Sequence, residues 1–208
     1  MVEPLIVSLR LGGPRLLRYT DFVKQGKRIF LAIELSDEAR KEILRVQKEL
    51  GKLSDGVYKP SAKESLHLTL YFCGETEEET IVRIGDALEG MSADAFDVRL
   101  GGLKLLPQDD VPRVLGVSVE SGGRELKAFQ QRIHDICFAL AEFKEVRPFV
   151  PHVTFARLAR DVPAGAKVVK RAIAGLGKIE PVRWRISEVV IFSNEDGKHE
   201  VVRRVLLG

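Results

Sequence analysis

Two stretches of the sequence could do chemistry, and they have the same shape. "SLHLTLYFC", residues 65–73, and "FVPHVTFAR", residues 149–157, each set a histidine and a threonine two apart inside an apolar run. The chain has only four histidines (His67, His134, His152, His199) and five threonines. Random placement would give two such pairs roughly once in 300 sequences. Side chains two apart on a strand share a face. Leu66, Leu68, Leu70 and Phe72 are therefore expected to line one side of the first strand, with His67 and Thr69 on the other. In the second, Val153 and Phe155 face one way, His152 and Thr154 the other.

Brought together, two imidazoles and two hydroxyls suit phosphodiester chemistry. Histidine titrates near neutrality, so one ring can act as base while its partner acts as acid. Hydroxyls and a guanidinium can hold phosphate oxygens. Arg157, three residues after Thr154, is the nearest guanidinium. A metal site usually takes three or four ligands, and here two histidines stand without an obvious carboxylate to complete them. No metal and no cofactor is implied. Taken singly, a strand histidine is more often structural than catalytic, and threonine is simply a good strand former; it is the pairing that points to function. His134, inside a long helical pattern, and His199, just after a turn, read as structural or solvent-facing.

The elements that must position these residues follow from periodicity. "RIFLAIEL" reads as a buried strand, with Ser36 and Asp37 then offering a helix cap, Ile43, Val46 and Leu50 a helical stripe, and Gly51 a stop. After a loop comes the first His-Thr strand, then a helix from about Glu77 to Leu88. Two strands follow, "AFDVRLGGLKLLP" and "RVLGVSVE", with a polar turn around Gln108 to Pro112. The longest helical pattern runs from Gly123 to Phe143 and leads into the second His-Thr strand. "AGAKVVKRAIAGLG" reads as helix, and "RWRISEVVIFS" and "HEVVRRVLL" as strands joined by "NEDGK". This loose duplication predicts an α+β fold of two pseudo-symmetric lobes, mainly antiparallel sheet with outer helices around a central cleft. Residues 1–26 read as an N-terminal extension and 27–208 as one two-lobed domain.

Composition sets outer bounds. In 208 residues, 45% hydrophobic and 30% charged, a net charge of +3 suits a ligand with a few phosphates and falls short of a coating for long nucleic acid. Cys73 and Cys137 lie far apart in apolar surroundings, which points to buried free thiols in a reducing compartment. No apolar run reaches membrane-spanning length. A cytoplasmic protein without a membrane or an obligate protein partner is the expectation.

The sequence resembles the two-histidine phosphoesterase superfamily, in particular the RNA 2′,3′-cyclic phosphodiesterases once described as 2′-5′ RNA ligases. The likeness begins at "RIFLAIELSDEARKEI", continues through "SLHLTLYFCGE" and closes with "RPFVPHVTFAR", covering roughly residues 28–206. Departures are Pro60 where many relatives have an aromatic, "GKHEVV" where a tyrosine is common, and Cys73 for leucine. The resemblance implies hydrolysis of cyclic phosphate ends to 2′-phosphomonoesters, with reverse 2′-5′ ligation as a second outcome. It implies His67 as proton donor, His152 as proton acceptor, and Thr69, Thr154 and Arg157 as the phosphate grip. The substrates implied are RNA ends or short oligonucleotides, tRNA fragments among them. The near-symmetric motifs do not themselves assign acid and base. The alternative reading is a non-catalytic nucleotide- or RNA-binding module that uses the same cleft.

Overall fold

The computed structural model describes residues 26–53, 56–106, 113–121, 124–159 and 171–208. The expected N-terminal extension, the turn around Gln108 to Pro112 and most of the helix expected near residues 164–177 lie outside these, although residues 171–175 are helical. The described strands are β1 (Lys27–Glu34), β2 (Tyr58–Pro60), β3 (His67–Thr76), β4 (Phe96–Leu106), β5 (Val114–Ser121), β6 (His152–Leu158), β7 (Arg183–Ile186), β8 (Glu188–Glu195) and β9 (Lys198–Leu206). The longer described helices are α1 (Asp37–Leu53), α2 (Glu78–Glu89) and α3 (Glu125–Leu140). All described strand pairs are antiparallel, in the order β7-β4-β5-β6-β3-β1-β8-β9, with β2 paired to β6. The two motif strands, β3 and β6, are neighbours at the middle of this sheet. They join through a single residue pair, Leu68 with Val153, so the sheet is two halves meeting at one seam, four strands on the β3 side and five, with β2, on the β6 side. This is the expected α+β arrangement.

Most buried apolar residues form one core, which α1, α2 and α3 cover from the outer face. Ala39, Ile43, Val46 and Leu50 of α1 recur at helical spacing and are almost fully buried. Ser36 caps this helix, its hydroxyl accepting from the Ala39 amide at 3.2 Å. Gly51 does not end it. The helix runs to Leu53, since a glycine in a helix costs only about 1 kcal/mol and does not by itself end it. Two further expectations are corrected. The loop before the first motif contains β2, which lies along β6. "RWRISEVVIFS" is not one strand: it breaks at Ser187, and its halves pair on opposite sides of the sheet, β7 with β4 and β8 with β1. The turn after β8 matches its sequence, with Asp196 and Gly197 both at positive φ (50° and 82°) as a tight hairpin requires.

A bulge in each motif strand changes which side chains face the cleft. In β3, Leu31 of β1 stands opposite Tyr71 while Ala32 stands opposite Thr69, leaving Leu70 as an extra residue. In β6, Leu115 of β5 stands opposite Ala156 and Gly116 opposite Thr154, leaving Phe155 extra. After each bulge the alternation shifts by one. Phe72 therefore leaves the leucine face and joins His67 and Thr69, at 43% exposure, while Tyr71 turns into the core at 1%. By the same shift Arg157 comes round to the face of Thr154, although an odd spacing of three would separate them on a regular strand.

Each bulge carbonyl is held by a glutamine from a helix of the outer layer. Gln130 of α3 donates to the Leu70 carbonyl at 3.2 Å, and Gln47 of α1 donates to the Phe155 carbonyl at 2.8 Å. Gln47 also donates to Ser61, whose own amide reaches Phe155 at 2.9 Å. Replacing Gln130 by leucine leaves a buried carbonyl with a lost partner, and should destabilise the protein by about 1–3 kcal/mol in chemical denaturation. Gln47→Leu should cost less, because the Ser61 amide still serves the Phe155 carbonyl. Equal and negligible effects would show that the glutamines do not maintain the bulges.

Candidate active site

Cross-strand partners share a face, so the registers draw the floor of the cleft outward from the seam. On one half, His67, Thr69 and Phe72 of β3 stand opposite Glu34, Ala32 and Phe30 of β1. Beyond them come Val190 and Phe192 of β8, and then Arg204, Val201 and His199 of β9, the last opposite Asn194. Phe30, Ala32, Val190 and Phe192 form a small buried cluster separate from the main core. On the other half, His152, Thr154 and Arg157 of β6 stand opposite Ser118, Gly116 and Val114 of β5, with Lys59 of β2 also beside Arg157. All five expected site residues, His67, Thr69, His152, Thr154 and Arg157, lie on this one concave face. The two histidines are each one residue from the pair that joins the halves.

The two imidazoles sit in different environments. The His152 Nδ1 lies 2.6 Å from the Val150 carbonyl. A carbonyl can only accept, so Nδ1 carries the hydrogen and the neutral ring keeps its lone pair on Nε2. That is the tautomer a base needs. Its pKa is lowered by burial and opposed by this hydrogen bond, with Arg157 adding a smaller depression. His67 is held lower, to about 3, chiefly by burial and then by the charges of His199, Arg157, Arg40 and His152. Both rings are thus neutral in the empty cleft at neutral pH, and an arriving anion favours their protonation. Gly116 makes room for the His152 ring: a Cβ there would lie 2.9 Å from the His152 Cδ2 and 3.0 Å from the Val153 carbonyl.

Two floor residues were not expected from the sequence. Phe72 packs on Phe30 with ring centroids 6.0 Å apart, and the Arg147 guanidinium lies 5.9 Å from its ring. His199, read as structural or solvent-facing, has its ring 5.2 Å from His67 and 4.9 Å from Phe30. Its only sequence signal was position after a hairpin turn, which does not reveal how the turn's strand lies against β1. His134 stays outside the cleft, on α3 between Tyr71 and Phe138. A groove of about 560 Å³ between α3 and the β4–β7 edge, lined in part by Arg99, Arg132 and Arg183, contains none of the motif residues. Among the described residues no three His, Cys, Asp or Glu side chains converge to hold a metal ion. Cys73 and Cys137 are buried free thiols, and no described helix is long and apolar enough to cross a membrane.

Known proteins resemble this chain over most of its length. The 2′-5′ RNA ligase superfamily model matches residues 35–198. A protein of Methanothermobacter thermautotrophicus named RNA 2′,3′-cyclic phosphodiesterase is 31% identical over 172 residues, 81% of this chain and 90% of its own. One of the same name from Archaeoglobus fulgidus is 29% identical over 165 residues, 79% of this chain and 92% of its own. Among solved structures, E. coli LigT complexed with 3′-AMP shares the fold, with a TM-score of 0.69 at 20% identity over 88% of this chain and 98% of that one. A Thermus thermophilus structure gives 0.66 at 24% identity, over 86% of this chain and 97% of that one. The chain belongs to the 2′-5′ RNA ligase superfamily of two-histidine phosphoesterases.

Proposed function

We propose that the protein hydrolyses the 2′,3′-cyclic phosphate at RNA ends to a 2′-phosphomonoester, by acid-base catalysis between His152 and His67 without a metal. The observation that carries this is the convergence of both His-x-Thr motifs and Arg157 on one face across the Leu68–Val153 pair. Relatives named RNA 2′,3′-cyclic phosphodiesterase support the substrate class, and the LigT complexes with 3′-AMP and with phosphate show what that fold accommodates in another protein.

In the reaction, Nε2 of neutral His152 takes a proton from water as the water oxygen bonds to phosphorus. The bond from phosphorus to O3′ breaks, and protonated His67 gives its proton to O3′. The products are a 2′-phosphomonoester and a free 3′ hydroxyl, with the proton returned from His152 to His67 through solvent. Thr69, Thr154 and Arg157 hold the non-bridging oxygens and meet the charge that grows on them. The same chemistry with a ribose 5′ hydroxyl in place of water joins two ends in a 2′-5′ bond. Two buried thiols suit a reducing compartment, so we assign the cytoplasmic pool of RNA ends, tRNA fragments included, as the source of substrate.

The direct test is an RNA oligonucleotide with a cyclic phosphate end, followed by phosphorus NMR in EDTA. Wild type should give the 2′-monophosphate, and His67→Ala and His152→Ala should each lose about 10²–10⁴-fold in rate. Ligand binding by wild type with no product would favour the non-catalytic module instead. Gly116→Ala should lower kcat well beyond its effect on stability, because the new methyl displaces the His152 ring; a wild-type rate would contradict that role for the glycine.

The pH profile provides a separate check. The alkaline limb reports loss of the acid's proton, and in the free enzyme burial holds His67 down at about 3. A bound phosphate anion favours the protonated ring, so the alkaline limb of kcat should lie at higher pH than that of kcat/KM. Coincident limbs would argue against His67 as the acid.

A further inference from the structure

We propose that His199 is a third working imidazole of the cleft: a positioning residue on β9 that holds the His67 ring in place and competes with it for one proton. The inference rests on the paired-histidine reaction proposed above and adds to it a residue outside both motifs.

Geometry carries the first half. The ring of His67 is bounded by three others. Phe30 lies 4.8 Å away on β1, Phe192 6.0 Å away on β8, and His199 meets it edge to face at 5.2 Å and 66°. Phe30 and Phe192 stack on each other at 5.2 Å, and Phe30 also meets His199 edge to face at 4.9 Å. His67 has therefore little room to rotate, and His199 closes the side that the two phenylalanines leave open. A general acid must hold its proton within hydrogen-bonding reach of the leaving oxygen, so fixing the ring matters directly for rate.

Chemistry carries the second half. The Nδ1 of His199 is buried with no hydrogen-bond partner among the described residues. A phenylalanine would fill the same space beside Phe30 without that loss, so the ring nitrogens need a use beyond packing. Two imidazoles 5.2 Å apart cannot both take a proton without strong mutual repulsion. After burial, the His199 charge is the largest influence depressing His67, whereas His199 itself is depressed by burial and then by Arg157. Arg157 and His152 face the pair from β6 and Arg40 from α1. On β1, Glu34 is paired with Arg204 at 2.6 Å. On β8, Phe192 and Asn194 are uncharged, and the neighbours of His199 on its own strand are Lys198 and Glu200. Of this pair, His199, the less enclosed ring, takes the first proton, and an arriving anion favours protonation of His67.

The test compares wild type with His199→Phe, which keeps a ring without a proton, and His199→Ala, which removes both. The titration of His67 would be followed by nitrogen-edited NMR, with and without a bound nucleoside 2′-monophosphate, alongside kcat and KM across pH. In His199→Phe, the His67 titration and the alkaline limb of kcat should both move to higher pH, with KM within about twofold of wild type. In His199→Ala, kcat should also fall by about tenfold or more, as the His67 ring gains freedom. If His199→Phe fails to fold, His199→Gln provides the uncharged variant. A folded uncharged variant with His67 titration and alkaline limb unmoved would overturn the proposal. Wild type inactive on cyclic phosphate would instead overturn the reaction assigned above, since the NMR titration is read without turnover.

Discussion

A side-chain amide held against the carbonyl of a bulged residue is the constraint on which this cleft depends. A regular strand would send Arg157 to the opposite face from Thr154 and would bury Phe72 among the leucines. The extra residues Leu70 and Phe155 reverse that, and Gln130 and Gln47 satisfy the carbonyls that the bulges displace. The glutamines come from the exchanged halves of the chain. α1 follows a strand of one half and reaches β6 in the other, while α3 follows β5 and reaches β3. Neither half completes its own motif. Catalytic geometry and outer-layer packing are therefore one problem, solved twice with the same residue type.

Charge in the cleft is arranged by the same logic of opposition. Four cation-capable groups, His67, His152, His199 and Arg157, converge on a floor of Phe30, Phe72 and Phe192. Burial lowers the pKa of all three imidazoles, and among the described residues no carboxylate forms an ion pair with Arg157; Glu34 is engaged by Arg204. An anionic ligand supplies the missing negative charge. At neutral pH the empty site is thereby a set of neutral rings, and a bound anion would favour their protonation.

Much of this was legible in the sequence because strand periodicity is a local property. His67 with Thr69 and His152 with Thr154 were set on common faces by spacing alone, and the helical stripe of α1 was read from Ile43, Val46 and Leu50. Phe72 was misassigned because a bulge leaves no local mark: "LTLYF" alternates as well as any strand, and the shift exists only relative to β1. Arg157 was reached through the family motif and its nearness in sequence, while the reason it points inward is the bulge at Phe155. His199 was missed for a similar reason. Its neighbours, Phe30 and His67, are more than 130 residues away, and only the order of strands brings β9 near them. The break at Ser187 was invisible because both flanking runs are equally good strand formers, and their separation is decided by which edges they find.

The seam between the halves carries a consequence of its own. His67 and His152 flank one backbone pairing, Leu68 with Val153, whereas each ring is bound to its own half by a long ladder. The distance between His67 and His152 thus depends on that one pairing together with the core and the helix α3 that span both halves. A rotation of one half on the other would change that gap, and it would also strain the Gln130 bond to Leu70, because α3 packs on β3 as well as on β4 and β5. The span between the two imidazoles is therefore kept less by the sheet than by the layer packed behind it, as the width of an arch is kept by its buttress.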